Sequence, residues 1–549
     1  MPPIKERKRI AIVGSGVSGI AALWALNEHS EHEVNIYEAG DYVGGHTHTV
    51  TFEREGKESV DVDTGFIVCN PPTYPNFLSF LAHKKVRTIP TSMTFSVSRD
   101  LGLFEWAGDN LSTVFIQRKN LLNPRLWRML LDVLRFNLFG LDLVDGDQTD
   151  GSRGTAQSKK EDREEVEKDM SIGEYLERGG YGDGFKEDYL LPMTAAIWST
   201  PADKAALDFP AKTLVRFFHN HHLMQVDGRP NWLTVSGGSK KYVEAVLASL
   251  PKENLHTNTP IKSVTPHPDL VTLVEESGKE HQYDYVIMAT HSDTSLRLLK
   301  AGGGATREEE DILSSFEWSK NEAVLHWDER FMPIRRRAWS AWNYLTSSNK
   351  PSKSPKAAAS DVNTVALTYN MNDLQKLPVE RHGPVLVTLN PPFEVDAAKT
   401  VGRYQYEHPM YSAASVRAQS RLPEIQNARR VTFAGAWTNY GFHEDGFTSG
   451  LKLAVDQFGA EIPFPIRPAD RAIKKELVAR AIVAGIEHAR VLMASTPLAM
   501  TLNWLILYLL TAIVRLVSLT GRGDWVSEAE SVCAFWRPQQ AKGQRKKMQ

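Results

Sequence analysis

A chain of 549 residues exceeds the ordinary size of one folding unit, so two domains with large cores and an appendage are expected. A formal net charge of -2 with 24% charged residues describes an ordinary surface and argues against a nucleic-acid partner, which would call for a basic field. Two cysteines far apart, Cys69 and Cys533, exclude a disulfide framework and a cysteine-built metal site and fit a reducing compartment.

The N-terminal MPPIKERKR runs into a four-residue apolar strand without the apolar region of a secretory signal, so the body of the protein is expected in the cytosol. Residues 9–38 then read as a βαβ unit: strand RIAIV, a glycine turn, a helix through AALWALNEH and strand EVNIYEA. Gly14, Gly16 and Gly19 form G-x-G-x-x-G between the first strand and the helix. The first permits a tight turn, the second lets backbone approach a pyrophosphate, and the third permits close helix–strand packing. Glu38 closes the second strand, where a carboxylate accepts hydrogen bonds from an adenosine ribose. The pattern predicts a dinucleotide site and leaves NAD and FAD both open.

Residues 71–231 carry helical runs such as NPRLWRMLLDVLRFNLFG, and 301–427 carry strand-like runs such as TVALTYNMN and GPVLVTLN. Between them KSVTP and VTLVEE read as a hairpin or meander ahead of the buried strand DYVIMAT, and VTFAGAW near the end reads as a further strand before the helix FTSGLKLAVDQFG. The polar segments 149–169 and 347–361 are expected to be disordered insertions. This predicts an α/β fold: a doubly wound dinucleotide-binding domain of Rossmann type (1–70, 232–300 and 428–465) interleaved with an α+β substrate domain (71–231 and 301–427), then a helical appendage (466–549).

Gly44 and Gly45, just beyond Glu38 in EAGDYVGGHTHTV, resemble the second glycine motif of the flavin-containing amine oxidase superfamily, and DYVIMAT and VTFAGAWTNYGFHEDGFTSGLKLAVDQFG resemble its later FAD motifs. The resemblance selects FAD. It implies a cofactor-contacting set of Gly14, Ser15, Gly16, Ser18, Gly19, Glu38, Ala39, Gly44, Gly45, His46, Val264, Gly435, Ala436, Asp445, Gly446 and Phe447. Gly446 and Phe447 are placed at the start of the last helix, where N–H groups and the helix dipole favour charge on the reduced flavin, with Asp445 as the alternative helix cap.

The chain departs from typical amine oxidases at His46, where the family has arginine, and at Ala436, where it has glutamate. VDVDTGFIVCN, PMTAAIWST, RPNWLTVSGGSKKYVEAV and YGFHEDGFTSGL resemble instead an amine-oxidase-like branch related to flavin-dependent fatty-acid isomerases and desaturases. That resemblance implies hydride abstraction from an apolar, unsaturated acyl or similar lipid substrate. An amine oxidase and a non-catalytic, membrane-associated FAD-binding protein are the alternatives. His46, His443 and Glu444 are the candidate catalytic residues beside the flavin, each with a structural hydrogen-bonding role as its alternative.

No metal is expected: His219, His221 and His222 in FFHNHHL lack acidic or cysteine partners at ligand spacing. Arg335, Arg336 and Arg337 read as solvated surface, and Trp339, Trp342 and Tyr344 as packing. Residues 497–514, PLAMTLNWLILYLLTAIV, are apolar at the lower length limit for crossing a bilayer, with basic residues on both sides. A single pass, an anchor on the cytosolic face of a membrane and a buried helix are all open for this run.

Overall fold

The computed structural model describes residues 3–4, 6–144, 170–198, 207, 209–224, 230–346, 366–469, 473 and 476–495. The chain opens with β1 (Arg9–Val13), α1 (Val17–His29) and β2 (Glu33–Tyr37), in the order the glycine pattern predicts. Next come α2 (Pro75–His83) and the cap helices α3 (Pro124–Phe139) and α4 (Ala211–Asn220). The short β3 (Leu255–His256), β4 (Tyr285–Met288), β5 (Val431–Phe433), α5 (His443–Asp456) and α6 (Leu477–Ser495) complete the elements used below.

The nucleotide sheet has the order β5-β4-β1-β2-β3, and every neighbouring pair is parallel. Its strands come from three stretches separated by more than a hundred residues each. Parallel strands need both faces covered. One face carries α1, α2 and α5 around a core containing Ile12, Leu23, Trp24, Phe77, Phe80 and Phe447. The other carries the antiparallel meander Ile261–Pro266, Val271–Glu275 and Glu280–Tyr283, packed through Val264, Leu273 and Tyr283.

Gly446 and Gly450 let α5 cross α1 at backbone distance. A Cβ on Gly446 would stand 2.6 Å from Val17 Cγ1, and one on Gly450 2.2 Å from Ser18 O. At Gly450 the first and last nucleotide-domain helices therefore meet backbone to backbone, and at Gly446 only the α1 side chains Val17 and Ser18 stand between them.

A second, seven-stranded sheet is mostly antiparallel and runs Thr400–Met410, Glu317–His326, Leu386–Leu389, Ala366–Asn370, Trp342–Thr346, Phe95–Arg99 and Phe104–Ala107. The helical cap around α3 and α4 has its own core of Phe136, Phe185, Leu214, Phe217 and Phe218. Asn123 caps α3 by accepting from Arg125 N–H at 3.1 Å, with Pro124 at the first helical position, where its missing N–H costs nothing.

The expected insertions at 149–169 and 347–361 and the apolar run 497–514 lie outside the described residues. Among the described residues no helix is long and apolar enough to cross a membrane. The last helix begins earlier than FTSGLKLAVDQFG suggests: Asp445 accepts from Phe442 N–H at 2.9 Å, which caps the helix at Phe442 and draws His443 and Glu444 into its first turn.

Candidate active site

The turn after β1 is a set of close approaches. Gly14 has φ +100°, and a Cβ there would sit 2.6 Å from Ala289 O at the end of β4. A Cβ on Gly19 would meet Gly14 O at 2.1 Å, so α1 rests directly on the turn. Gly16 differs, because a Cβ there would meet nothing within 4 Å. Its backbone is extended, with φ -62° and ψ 178°, a conformation open to any residue. Glycine at 16 thus keeps a space beside the first turn of α1, whose leading N–H groups have no intrahelical acceptor. A pyrophosphate fits that space and those donors.

Gly44 (φ +131°) and Gly45 (φ +58°) bring the second motif onto the first: a Cβ on Gly45 would lie 3.0 Å from Gly16 Cα. Ser15 Oγ joins them, accepting from Gly44 N–H at 3.2 Å while donating to Glu38. The Glu38 carboxylate also accepts from Ser15 N–H at 3.0 Å and Gly40 N–H at 2.8 Å. With three of its roughly four acceptor positions used, Glu38 retains one for a ribose hydroxyl and holds the turn by the others. Ala39 follows it in the same loop.

Gly16, Gly44 and Gly45 of this cradle border a cavity of about 690 Å³, the size range of small-molecule sites; Gly14, Ser15, Gly19, Glu38 and Ala39 stand behind them and do not line it. Gly16, Ser18, Gly44, Gly45, His46, Gly435, Ala436 and His443 line it together. Trp437 supports the Gly435–Ala436 side by donating from its indole N–H to Thr290 O at 3.1 Å. Opposite the cradle the wall is apolar, with Met93, Phe95, Trp106, Met193, Trp342 and Leu389.

Val264, Asp445, Gly446, Phe447 and Glu444 take other places. Val264 is fully buried in the meander's core and does not line the cavity, because its side chain is on the face packed against the nucleotide sheet. The Gly446 N–H donates to Phe442 O at 3.0 Å, since the earlier helix start has moved it past the first turn, and the N–H groups without intrahelical acceptors are those of His443, Glu444 and Asp445. Phe447 packs against Phe77 and Phe80 in the core. Asp445 is the helix cap, accepting also from Asn439 Nδ2 at 2.8 Å.

The expected polar pair at 443 and 444 is split. His443 lines the cavity, stacks on Phe66 with centroids 3.7 Å apart and shares a 3.0 Å hydrogen bond with the Tyr242 hydroxyl. Burial lowers its pKa to about 3, so it is neutral throughout the physiological range. Consecutive helical residues point about 100° apart, and Glu444 turns to α2, accepting from Asn76 N–H at 2.9 Å and Phe77 N–H at 3.0 Å. It caps that helix at 4% exposure, and burial pushes its carboxyl up to about 8. Glu444 is therefore a clamp between α5 and α2 and is not on the cavity wall.

His46 stacks on His408 with centroids 5.2 Å apart and meets the edge of Tyr406. Burial holds His46 well below its usual pKa and lowers His408 to about 4, so both are neutral hydrogen-bonding groups. Sequence reasoning did not single out His291 and Glu407. His291 follows β4, stacks on Trp318 with centroids 3.8 Å apart and places Nδ1 3.3 Å from Glu407 Oε2. Burial lowers the His291 pKa while Asp293 and Glu407 oppose that shift. The available signal was its position just past the carboxyl end of a parallel strand, where open α/β sheets bind ligands. Glu407 carried no local signal.

His221 and His222 also line the cavity, and His221 is held by the Phe217 carbonyl at 3.0 Å, with burial lowering its pKa to about 4. The arginine run does not reach the cavity: Arg335 pairs with buried Glu105 at 2.8 Å, Arg336 with Glu329 at 2.6 Å, and Arg337 donates to Ser112. Tyr344 is buried packing, as expected, but Trp342 is on the cavity wall.

A parallel sheet with a glycine cradle at its carboxyl edge and a cavity over it defines a dinucleotide-dependent enzyme. Residues 17–353 match the family model of flavin-containing amine oxidoreductases, and the chain belongs to that family. It is an FAD-dependent oxidoreductase.

Solved structures of similar fold include a fatty acid isomerase from P. acnes that produces CLA, at 16% identity and TM-score 0.55, covering 82% of this chain and 98% of that one. A putrescine oxidase with putrescine bound is similar at 16% identity and TM-score 0.54 over the same shares. Cyclohexylamine oxidase from Brevibacterium oxydans aligns at 14% identity and TM-score 0.50, again over 82% and 98%. No curated protein sequence matches the chain.

Proposed function

We propose that the substrate is an apolar, unsaturated acyl or similar lipid chain, from which hydride is abstracted in desaturation or double-bond movement. The observation that carries this reading is the make-up of the cavity wall. Among the described residues it contains no lysine or arginine, and its one carboxylate, Glu407, faces His291. A charged group buried against such a wall would lose hydration, with Glu407 as the one carboxylate to receive a cation and no described cation to receive an anion, whereas an alkyl chain gains from burial against Met93, Phe95, Trp106, Met193, Trp342 and Leu389.

Gly16, the leading N–H groups of α1, Glu38 and the Gly44–Gly45 turn would hold FAD. FAD, when bound, supplies an acceptor for a hydride, which is kept in desaturation and returned in double-bond movement. The apolar wall orients the chain and excludes water. His291 accepts the proton released in desaturation: it is neutral above its lowered pKa, and Glu407 stabilises the cation that forms. His46, His408 and His443 stay neutral and act as hydrogen-bonding walls.

The test is anaerobic mixing of flavin-loaded protein with long-chain unsaturated fatty acids and, separately, with primary amines. Bleaching of the visible flavin band, or product isomers without bleaching, is expected with the fatty acids. Bleaching with amines alone would overturn the reading in favour of an amine oxidase, with Glu407 as the ammonium partner. No response to either would leave the lipid reading without support and favour FAD binding without catalysis.

A further inference from the structure

The helix α6 is inside out. A surface helix normally turns its apolar stripe to the core and its charges to water. At about 100° per residue, Leu477, Val478, Ala481, Ile482, Gly485, Ile486 and Ala489 occupy one half of α6, and Arg480, Val483, Glu487 and Arg490 fall on the other. The apolar half is the exposed one. Leu477 and Val478 are 74% and 76% exposed, and Ile482 and Ile486 are 59% and 48% exposed.

The charged half docks on the cap. Glu487 pairs with Arg128 at 2.9 Å and lies 3.6 Å from Arg135, both on α3. Arg480 donates to Leu138 O at 2.7 Å, reaches Asp142 and lies over the Phe139 ring. These bonds fix the rotation of α6 about its axis, so the apolar face points outward by construction.

We infer that the outer face of α6 lies on a lipid bilayer, seated parallel to the surface at the headgroup–acyl boundary. Three observations select lipid over a protein partner. Between Leu477 and Ala489 the face is aliphatic with His488 as its one polar side chain, so this stretch lacks the tryptophan, tyrosine and arginine anchors on which protein interfaces depend. The sequence beyond α6 enters the apolar run 497–514 two residues after Ser495, so apolar character continues along the chain from this face. The approach to the helix carries Arg467, Arg471, Lys474 and Lys475 against Asp470 and Glu476, a cationic excess suited to anionic headgroups. With three charged residues in α6 itself, lying on the membrane and not crossing it is the stable arrangement.

This inference is independent of the substrate proposed above, because its readout contains no turnover. Full-length, flavin-loaded protein in a Cys533→Ser background carries one accessible thiol, introduced by Val478→Cys or Ile482→Cys, Cys69 being fully buried. The thiol is labelled with an environment-sensitive dye and mixed with phosphatidylcholine–phosphatidylserine vesicles containing brominated acyl chains. The expected result is a blue shift and severalfold quenching at both positions, none at a Ser277→Cys control in the exposed meander turn, and loss of co-flotation on Ile482→Glu with flavin content unchanged.

Protein that floats with vesicles yet leaves positions 478 and 482 unquenched would overturn the inference. So would protein that does not associate at all. A concentration-dependent shift without lipid would overturn it by assigning the face to a second copy of the chain.

Discussion

The two walls of the cavity are built by opposite means. The cofactor wall is backbone: glycines at 14, 19, 44 and 45 whose missing side chains let strands and helices close to contact. The substrate wall is side chain: aromatic and aliphatic groups from strands and helices scattered between residues 93 and 389. A backbone wall tolerates little, because an added Cβ meets an immovable carbonyl. A side-chain wall can be repacked, so one fold can hold FAD in a fixed way and vary what it acts upon.

The comparison is tested most sharply at Gly16, the cradle glycine that touches nothing. Gly16→Val is expected to leave the fold stable to within about 1 kcal/mol, since the position is open and its φ ordinary. It should weaken flavin retention on the order of a thousandfold, or about 4 kcal/mol. Flavin absorbance after gel filtration and urea unfolding of the apoprotein read the two effects. Equal loss of stability and flavin would show that Gly16 is a packing glycine like Gly19.

Next in size is Gly450→Val, which drives a side chain into Ser18 O and is expected to cost about 3 kcal/mol or more, read by thermal unfolding of the apoprotein. On the substrate side, His291→Gln should lower turnover about a hundredfold, or about 2.7 kcal/mol, with unchanged unfolding and flavin content. The acid limb of the wild-type pH profile, set by protonation of His291, should vanish in that variant. An unaltered profile would remove His291 from the chemistry.

The smallest effect belongs to the clamp. Glu444→Ala leaves two buried N–H groups of α2 unpaired, at about 2 kcal/mol. The Glu444 pKa is raised from 4.5 to about 8 on folding, so its contribution is full below pH 4.5 and is lost as pH rises through 8. Unfolding midpoints across that window should fall less steeply with rising pH in Glu444→Gln than in the wild type.

What could be read from sequence follows the same division. Gly14, Gly16, Gly19, Glu38, Gly44 and Gly45 announce themselves because backbone constraints leave a residue type at a fixed spacing. The strand–turn–helix order they implied is the order observed. Glu444 looked catalytic from its neighbourhood, and only the helix start, shifted by the Asp445 cap, shows that it faces α2. The same shift takes Gly446 out of the helix's first turn and leaves Phe447 in the core. His291 and Glu407 were missed because their meeting depends on how a seven-stranded antiparallel sheet stands over a parallel one, which no local pattern encodes. Trp342 read as packing for a related reason: sequence alternation tells which residues share a face and not whether that face is filled.

The contact of α5 with α1 through Gly446 and Gly450 also sets a timetable. Residues 9–45 leave the ribosome early with both glycine turns and Glu38, yet α1 meets α5 only some four hundred residues later. The cofactor cannot be fully enclosed while the chain is still growing through the substrate region. Firm retention of FAD is therefore expected only at the close of synthesis, and a chain stalled on the ribosome before residue 450 should release flavin that the finished protein keeps.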